Sequence, residues 1–277
     1  MAEPFLEREN RATQGYPYIE IGRENLCSRA HMHEEIEIVY VKEGSVEAFV
    51  GGEAVLLEAG DICIVMPYEV HSYGGNTRSV VNLLKLYAGG ELHAVRLRRG
   101  PKLMPTHYRH HDFFEVLLEI EKEHLKRRPG YTYAVPMQVL NFKLMLLRSM
   151  MVYTLTEREG ALVEKRCDFL CRFDAFLKEH YTEQISLASA ADAMHYSRSY
   201  FAHRFREIAG QSFFEYVTLF RLDEAKERLR GGASILDTAL ECGFGSARSF
   251  YRSFRKYCGS SPGAYATADP GTSTPTE

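Results

Sequence analysis

The hydrophobic period of the chain changes along its length, and the changes divide it. Over residues 16–100 apolar side chains alternate with polar ones or come in short runs, as in Glu35-Ile36-Glu37-Ile38-Val39-Tyr40-Val41. Val46-Glu47-Ala48-Phe49-Val50 and Ala54-Val55-Leu56-Leu57 flank Gly51-Gly52, a pair suited to a two-residue hairpin turn. Gly60-Asp61 introduces Ile62-Cys63-Ile64-Val65, Pro67 ends it, and Val80 to Tyr87 supplies another strand. Many short strands joined by regular turns predict a small antiparallel barrel or jelly roll. From 101 to 163 the period becomes helical. Phe113, Phe114, Leu117, Leu118 and the stretch 120–125 form one amphipathic helix, stopped by Arg127-Arg128-Pro129-Gly130, and a second runs from about Pro136 to Leu155. So much apolar surface on two helices needs a cover, either the barrel or a second chain. Residues 156–165, with Gly160, are the expected interdomain link, and a helix near Cys167 to His180 opens the last domain.

Residues 185–265 contain one pattern twice. Ser197, Phe201, Phe205, Arg206 and Gly210 recur as Ser246, Phe250, Phe254, Arg255 and Gly259, each 49 residues later, so one supersecondary unit is used twice. Phenylalanines at i, i+4 share a helix face and point inward. Arg248, Arg252 and Arg255 fall at i, i+4, i+7 on the opposite side. A shorter apolar-periodic segment precedes each helix, joined to it by His195-Tyr196-Ser197 or by Gly243-Phe244-Gly245-Ser246, where each serine is a good N-cap. Helix, tight turn and N-capped helix with a basic face is the helix-turn-helix motif, whose second helix enters the DNA major groove. The plainer alternative is a pair of ordinary helical hairpins with a solvated basic face. Two in-phase copies with matching polar faces favour DNA binding.

With those residues in view, 185–265 resembles the DNA-binding region of the AraC/XylS family of bacterial transcription regulators. The resemblance is carried by Ala191, Ser197, Phe201 and Phe205; by Tyr216, Arg221 and Ala225; and by Ile235, Ala239, Gly243-Phe244, Phe250, Phe254, Gly259, Ser261-Pro262 and Tyr265. His195 departs from it, standing where the family has a glycine. By family position, Arg198, Ser199, Ala202 and His203 face bases or phosphates in one groove, and Ala247, Arg248, Tyr251 and Arg252 in the next. The joining helix, about Phe213 to Arg230, would be about 27 Å long at about 1.5 Å per residue. With its flanking turns it could hold the two recognition helices about one duplex turn, ~34 Å, apart. The resemblance also implies that the helical region 101–163 supports dimerisation.

Composition alters this picture little. The formal net charge of −3 looks wrong for a nucleic-acid binder until it is divided. Residues 1–163 carry 19 Lys and Arg against 22 Asp and Glu, and residues 164–265 carry 15 against 13. What matters is therefore where the arginines sit rather than bulk charge. No apolar run reaches membrane-spanning length and no secretion signal opens the chain, so the cytoplasm is expected. Six cysteines without paired spacing read as reduced core thiols. Cys167 and Cys171 share a helix face but have no second ligand pair.

The barrel segment holds the remaining candidate chemistry. His31, His33, Glu37 and Gly44 resemble the first cupin motif; Gly60, Pro67 and His71 resemble the second. In metal-binding cupins the three histidines and the glutamate ligate one ion, so His31, His33, Glu37 and His71 are candidate ligands for a divalent transition metal such as Fe, Mn, Ni or Zn. In sensory cupins, relics of the pattern can instead hydrogen-bond an organic ligand. Asn25 stands where the first motif begins with Gly, and His71 comes one residue early. His107, His110 and His111 read as surface or interface residues.

The expected fold is α+β and multidomain. An N-terminal antiparallel β-barrel of cupin or jelly-roll type spans 1–100, a helical linker and dimerisation region 101–163, an all-α domain with two helix-turn-helix motifs 164–265, and a disordered tail 266–277. The expected function is a homodimeric, non-enzymatic transcription regulator, most often an activator. It would bind double-stranded DNA, respond to a small-molecule effector such as a sugar in the barrel, and act with RNA polymerase. The alternative is a metal-dependent cupin enzyme with an accessory helical domain.

Overall fold

The computed structural model describes residues 12, 16–74, 78–98, 100–104, 110–149 and 152–267. In chain order these form β1 (Tyr18–Glu24), β2 (Ser28–His31), β3 (Glu35–Val50), β4 (Glu53–Glu58), β5 (Ile62–Val65), β6 (His71–Gly74), β7 (Ser79–Tyr87), β8 (Val95–Leu97) and β9 (Lys102–Leu103). Then come α1 (His111–Lys126), α2 (Tyr131–Arg148), β10 (Val152–Thr154), α3 (Glu157–His180), α4 (Leu187–Ala193), α5 (Arg198–Ala209), α6 (Phe213–Arg230), α7 (Ile235–Glu241), α8 (Ala247–Cys258) and α9 (Pro262–Thr267). His107 and residues 268–277 of the expected tail lie outside the described residues, while Ala266 and Thr267 end α9.

One strand organises the barrel. The expected strands 35–41 and 46–50 are a single β3, whose first half pairs antiparallel with β5 and β7 and whose second half pairs with β4 and β6. It changes partners past an irregularity between Val41 and Glu43. Gly44 follows it with φ +73°, where a Cβ would lie 1.8 Å from the Arg78 carbonyl oxygen, so only glycine fits. Alternation then assigns faces. Ile36 and Ile38 join Ile62, Ile64, Leu84 and Leu86 under Phe113, Leu117, Ile120, Val139 and Phe142 of α1 and α2. Val39 and Val41 turn the other way, into the barrel, with Cys63, Tyr73 and Leu83. The barrel therefore covers one side of the helical pair. The other side of α2 leaves Tyr133, Met137, Leu140, Leu144 and Leu147 exposed at helical spacing.

Two expected boundaries differ. The second helix begins at Tyr131, with Pro136 inside it, because left-handed Gly130 (φ 87°) starts the helix early. It stops at Arg148, and Val152–Thr154 pairs with β8 as a strand. The expected interdomain link 156–165 is helical. Thr156 accepts from the Glu159 amide while the Glu159 carboxylate accepts from the Thr156 amide, a reciprocal cap that starts α3 at Glu157. The sequence T-E-R-E carries that signal, but Gly160 and the charges obscure it.

The repeat folds as two helix-turn-helix units, α4–α5 and α7–α8, joined by α6. Phe201 and Phe205 pack with Phe169, Phe173 and Tyr216, and Phe250 and Phe254 pack with Leu222, Ala225 and Phe244. Ser197 and Ser246 cap α5 and α8 by accepting from the Tyr200 and Ser249 amides. In the two links, His195 (φ 60°) and Gly243 (φ 76°) occupy the same left-handed position. A Cβ at Gly243 would meet the Tyr181 carbonyl oxygen at 2.4 Å, whereas His195 is exposed to solvent and only its backbone is strained. Replacing His195 by Gly should therefore raise stability by about 0.5–1 kcal/mol, the relief of strain exceeding the added unfolded-state entropy. A denaturant midpoint unchanged or lowered would contradict this.

Candidate nucleic-acid interface and the histidine cluster of the barrel

The first half of each recognition helix is presented outward. Arg198, Ser199 and His203 are exposed on α5 and Ala202 is half-buried; Arg248, Tyr251 and Arg252 are exposed on α8 and Ala247 is half-buried. The fold thus brings together within each helix the residues expected from sequence to face DNA. The phenylalanines at the opposite face are fully buried, so the arginines cannot turn inward without breaking the core. Charge pairing separates these arginines from others nearby. Arg204 is paired with Glu207, Arg228 with Glu241 and Arg230 with Glu227. Among the described residues, Arg198, Arg248, Arg252 and Arg255 have no ion pair within the protein. A cation without an intramolecular partner is available to a phosphate or a base edge.

The C-terminal ends of the same helices face the barrel. A Cβ on Gly210, the left-handed cap of α5, would lie 2.2 Å from Phe49 of β3, and one on Gly259, the cap of α8, would lie 2.5 Å from the Asn25 side-chain nitrogen. These are equivalent positions of the repeat. The barrel thus approaches both recognition helices from the end opposite their exposed residues.

Inside the barrel, His31, His33, Glu37 and His71 converge, with one ligand atom from each lying within 4.8 Å of the others. His31 ends β2, Glu37 sits on the inward face of β3, and His71 begins β6. The one-residue-early histidine has a structural reason. Tyr68 takes the left-handed conformation (φ 60°) one position before the motif's glycine, so the spacing from turn to histidine is kept. Asn25, in the first motif's glycine position, is also left-handed (φ 51°).

The imidazoles are oriented for coordination. Each Nδ1 meets a backbone carbonyl two residues away: His31 at Arg29 (2.9 Å), His33 at Glu35 (3.2 Å) and His71 at Glu69 (2.8 Å). A carbonyl only accepts, so each Nδ1 carries the proton; Nε2 keeps its lone pair at His31 and His71, while at His33 Nε2 faces the Glu37 carboxylate at 3.2 Å. The Nε2 of His71 is buried without a hydrogen bond among the described residues. Burial pushes His31 well below the ordinary histidine range and holds His71 at about 4, keeping both neutral. Burial alone would raise the Glu37 carboxyl, but the hydrogen bond with His33 and the field of His71 and Lys85 hold it well below the usual range. Three imidazoles and one carboxylate fit a divalent transition metal.

Two members of the cluster were missed from sequence. Tyr73 donates to Glu37 at 2.7 Å, and the Lys85 amine lies 3.6 Å from the same carboxylate. Tyr73 is two residues from His71 on one strand and so shares its face. Lys85, alone in the apolar run of β7, stands opposite Glu37 in register. The space beside the cluster is only about 40 Å³, room for an ion and about one water. A larger cleft of about 290 Å³ lies between the barrel edge and α3, lined by Tyr68, Glu69, Arg96, Arg98, Tyr153 and Arg166, among others. His110 is half-buried and His111 exposed, away from the cluster.

Further residues missed from sequence join the two halves. Arg29 of β2 donates twice to Asp174 of α3 (3.0 and 2.9 Å) and to Tyr216 (3.1 Å) and Asp223 (3.2 Å) of α6. Nothing in the sequence pairs residues so far apart.

A family model of the helix-turn-helix domain matches residues 190–268, and one of the cupin domain matches 24–86. The HTH-type transcriptional activator RhaS of Enterobacter sp. (strain 638) is 23% identical over 84% of this chain and 85% of its own. The HTH-type transcriptional regulator YijO of Escherichia coli (strain K12), an uncharacterized protein, is 33% identical over 32% of each chain. The structure of an apo ToxT variant from Vibrio cholerae covers 93% of this chain and 98% of its own at 13% identity, with a TM-score of 0.48. The curated relatives are transcription regulators, which sets aside the reading of this chain as a metal-dependent enzyme.

The neutral, buried histidines fix a pH dependence. In the presence of chelator, unfolding takes up a proton at His71 between its ordinary pKa of about 6.5 and its folded value of about 4. Stability should fall as the pH drops through that window, by about 3 kcal/mol at most from this group. The His71→Gln protein should show a shallower loss, read from denaturant midpoints at pH 7 and 4.5.

Proposed function

Because the chain belongs to the AraC-type helix-turn-helix transcription regulators, with a cupin domain ahead of the DNA-binding region, we propose that it is a dimeric, cytoplasmic activator that couples ligand binding at the barrel to operator recognition. The observation that carries the DNA reading is the set of unpaired arginines on the outward faces of α5 and α8. In this reading Arg198, Ser199, Ala202 and His203 enter one major groove and Ala247, Arg248, Tyr251 and Arg252 the next. The small Ala202 and Ala247 allow close approach, and Arg248 and Arg252 suit bidentate recognition of guanine. An activator in this pose would act by contact with RNA polymerase.

The exposed stripe of α2, Tyr133, Met137, Leu140, Leu144 and Leu147, supports dimerisation through a second copy of the same face. Its spacing is that of one side of an interhelical seam, and its other side is already satisfied by the barrel. For the ligand, the histidine cluster suits a divalent cation of the Fe, Mn, Ni or Zn class, held by His31, His33, Glu37 and His71. An organic effector of sugar size is too large for the 40 Å³ beside that cluster, and the cleft against α3 has the volume and the polar and aromatic lining for one. Cysteines that form no disulfide among the described residues suit a reducing compartment.

In vitro selection of duplex sequences tests the DNA reading. Arg252→Ala should weaken binding to the selected site by about 1–3 kcal/mol and relax discrimination at one base position. An unchanged affinity and footprint would remove Arg252 from the interface. Leu140→Asp should convert the protein to a monomer in light scattering without lowering its melting temperature, since Leu140 is 65% exposed. A wild-type protein that is already monomeric at micromolar concentration would refute the dimer.

A further inference from the structure

The segment 25–31 touches, in seven residues, both helix-turn-helix motifs, the helix joining them and the histidine cluster. Asn25 is bonded to the barrel through its amide and the Ser79 carbonyl oxygen (2.8 Å), and its side chain lies against Gly259 at the end of α8. Cys27 packs against the core of the second motif, near Cys258. Gln211, directly after the cap of α5, donates to the Ser28 carbonyl oxygen (2.8 Å) and accepts from the Ala30 amide (3.0 Å). A side chain there replaces a neighbouring strand. Arg29 makes the buried contacts with α3 and α6, stacked 5.0 Å over Phe220. His31 ends the segment inside the cluster, and its Nδ1 is held by the carbonyl oxygen of Arg29 itself (2.9 Å).

Two details make this segment a lever rather than a static contact. Its pairing with β6 slips between Ser28 and His31. Arg29 and His31, which would share a face in a regular strand, are thereby aimed apart, one at the helices and one into the barrel. The neighbouring ligand strand is tied to the same place: Ser72, next to His71, donates to the Ala209 carbonyl oxygen at the end of α5 (3.3 Å). The cluster's ligand atoms spread over up to 4.8 Å. Two nitrogen or oxygen ligands on opposite sides of one ion, each at about 2.1 Å, stand about 4.2 Å apart at most. Closing that spread around one ion would pull on the side chains that carry the ligands, and β2 and β6, which bear His31 and His71, are the strands against which the DNA-binding helices rest.

We propose that residues 25–31 transmit cation occupancy of the His31, His33, Glu37 and His71 cluster to the relative pose of α5 and α8, so that the divalent cation is itself an effector. The inference rests on the regulator reading and on the cluster being a metal site. Coupling of this kind is reciprocal: DNA alters cation affinity by the same factor as the cation alters DNA affinity.

The experiment uses the full chain and a duplex selected by the metal-free protein. Affinities for Zn²⁺, Mn²⁺ and Ni²⁺ are measured against a competing chelator, with and without the duplex, for wild type, Asp223→Asn and Arg29→Lys. Asp223→Asn leaves the bidentate Asp174 contact in place, on a half-exposed side chain that tolerates the change. For at least one ion the duplex should shift wild-type affinity about 5-fold or more. In Asp223→Asn that shift should shrink at least about 3-fold while duplex-free ion affinity stays within about 2-fold, and Arg29→Lys should shrink it further. A tightly bound ion whose affinity ignores the duplex overturns the coupling and leaves the regulator reading intact. Equal coupling in Asp223→Asn and wild type overturns the route through Arg29. Failure of all three ions to bind removes the metal and the coupling with it, and a selection that enriches no sequence sinks the regulator reading and this inference together.

Discussion

The guanidinium of Arg29 is the contact on which the arrangement of the two halves depends. Its side chain is 8% exposed and faces Asp174, itself 4% exposed. Burial disfavours its charge, but the carboxylates of Asp174 and Asp223 outweigh that and raise its pKa further. It is charged at every accessible pH and needs its partners in every state of the folded protein. A buried ion pair of this kind contributes little net stability against an apolar replacement, yet losing one partner costs about 3–5 kcal/mol. Its effect is specificity of docking. The barrel can sit on α3 and α6 in few ways that keep Arg29, Tyr216 and Asp174 mutually satisfied.

That docking explains why the recognition helices face outward. The glycine caps of α5 and α8 allow Phe49 and Asn25 to approach closely at equivalent points of the repeat. The barrel thereby occupies the rear of both motifs, and the N-terminal halves, with their unpaired arginines, remain on the solvent side. The phenylalanine core sets which face of each helix is inside; the barrel contact sets which end is free.

Much of this was legible in the sequence because it is local. The repeat, the serine caps, the Gly51-Gly52 hairpin and the histidine spacing are each written within a few residues, and α6 spans Phe213–Arg230 as expected. Local conflicts were the first to mislead. Gly160 concealed a helix start that the Thr156–Glu159 capping pair dictates, and Pro136 concealed the first helical turn, which follows the Gly130 cap. What could not be read were contacts between residues far apart in the chain. Arg29 with Asp174, Gln211 with Ser28 and Lys85 with Glu37 follow from how strands and helices stack, which no single-chain periodicity encodes. Lys85 did leave a trace, as one charge in the buried strand Ser79–Tyr87.

That lysine has a consequence for how the cluster behaves over time. Glu37 is a buried anion, and a buried anion that relied wholly on a bound cation would collapse its surroundings whenever the cation departed. The Lys85 ammonium and the Tyr73 hydroxyl give it standing company. Glu37 is then never left as a lone buried charge, which is what the proposed cation effector would require of a site able to empty, and what sets a gauge that follows concentration apart from a rivet.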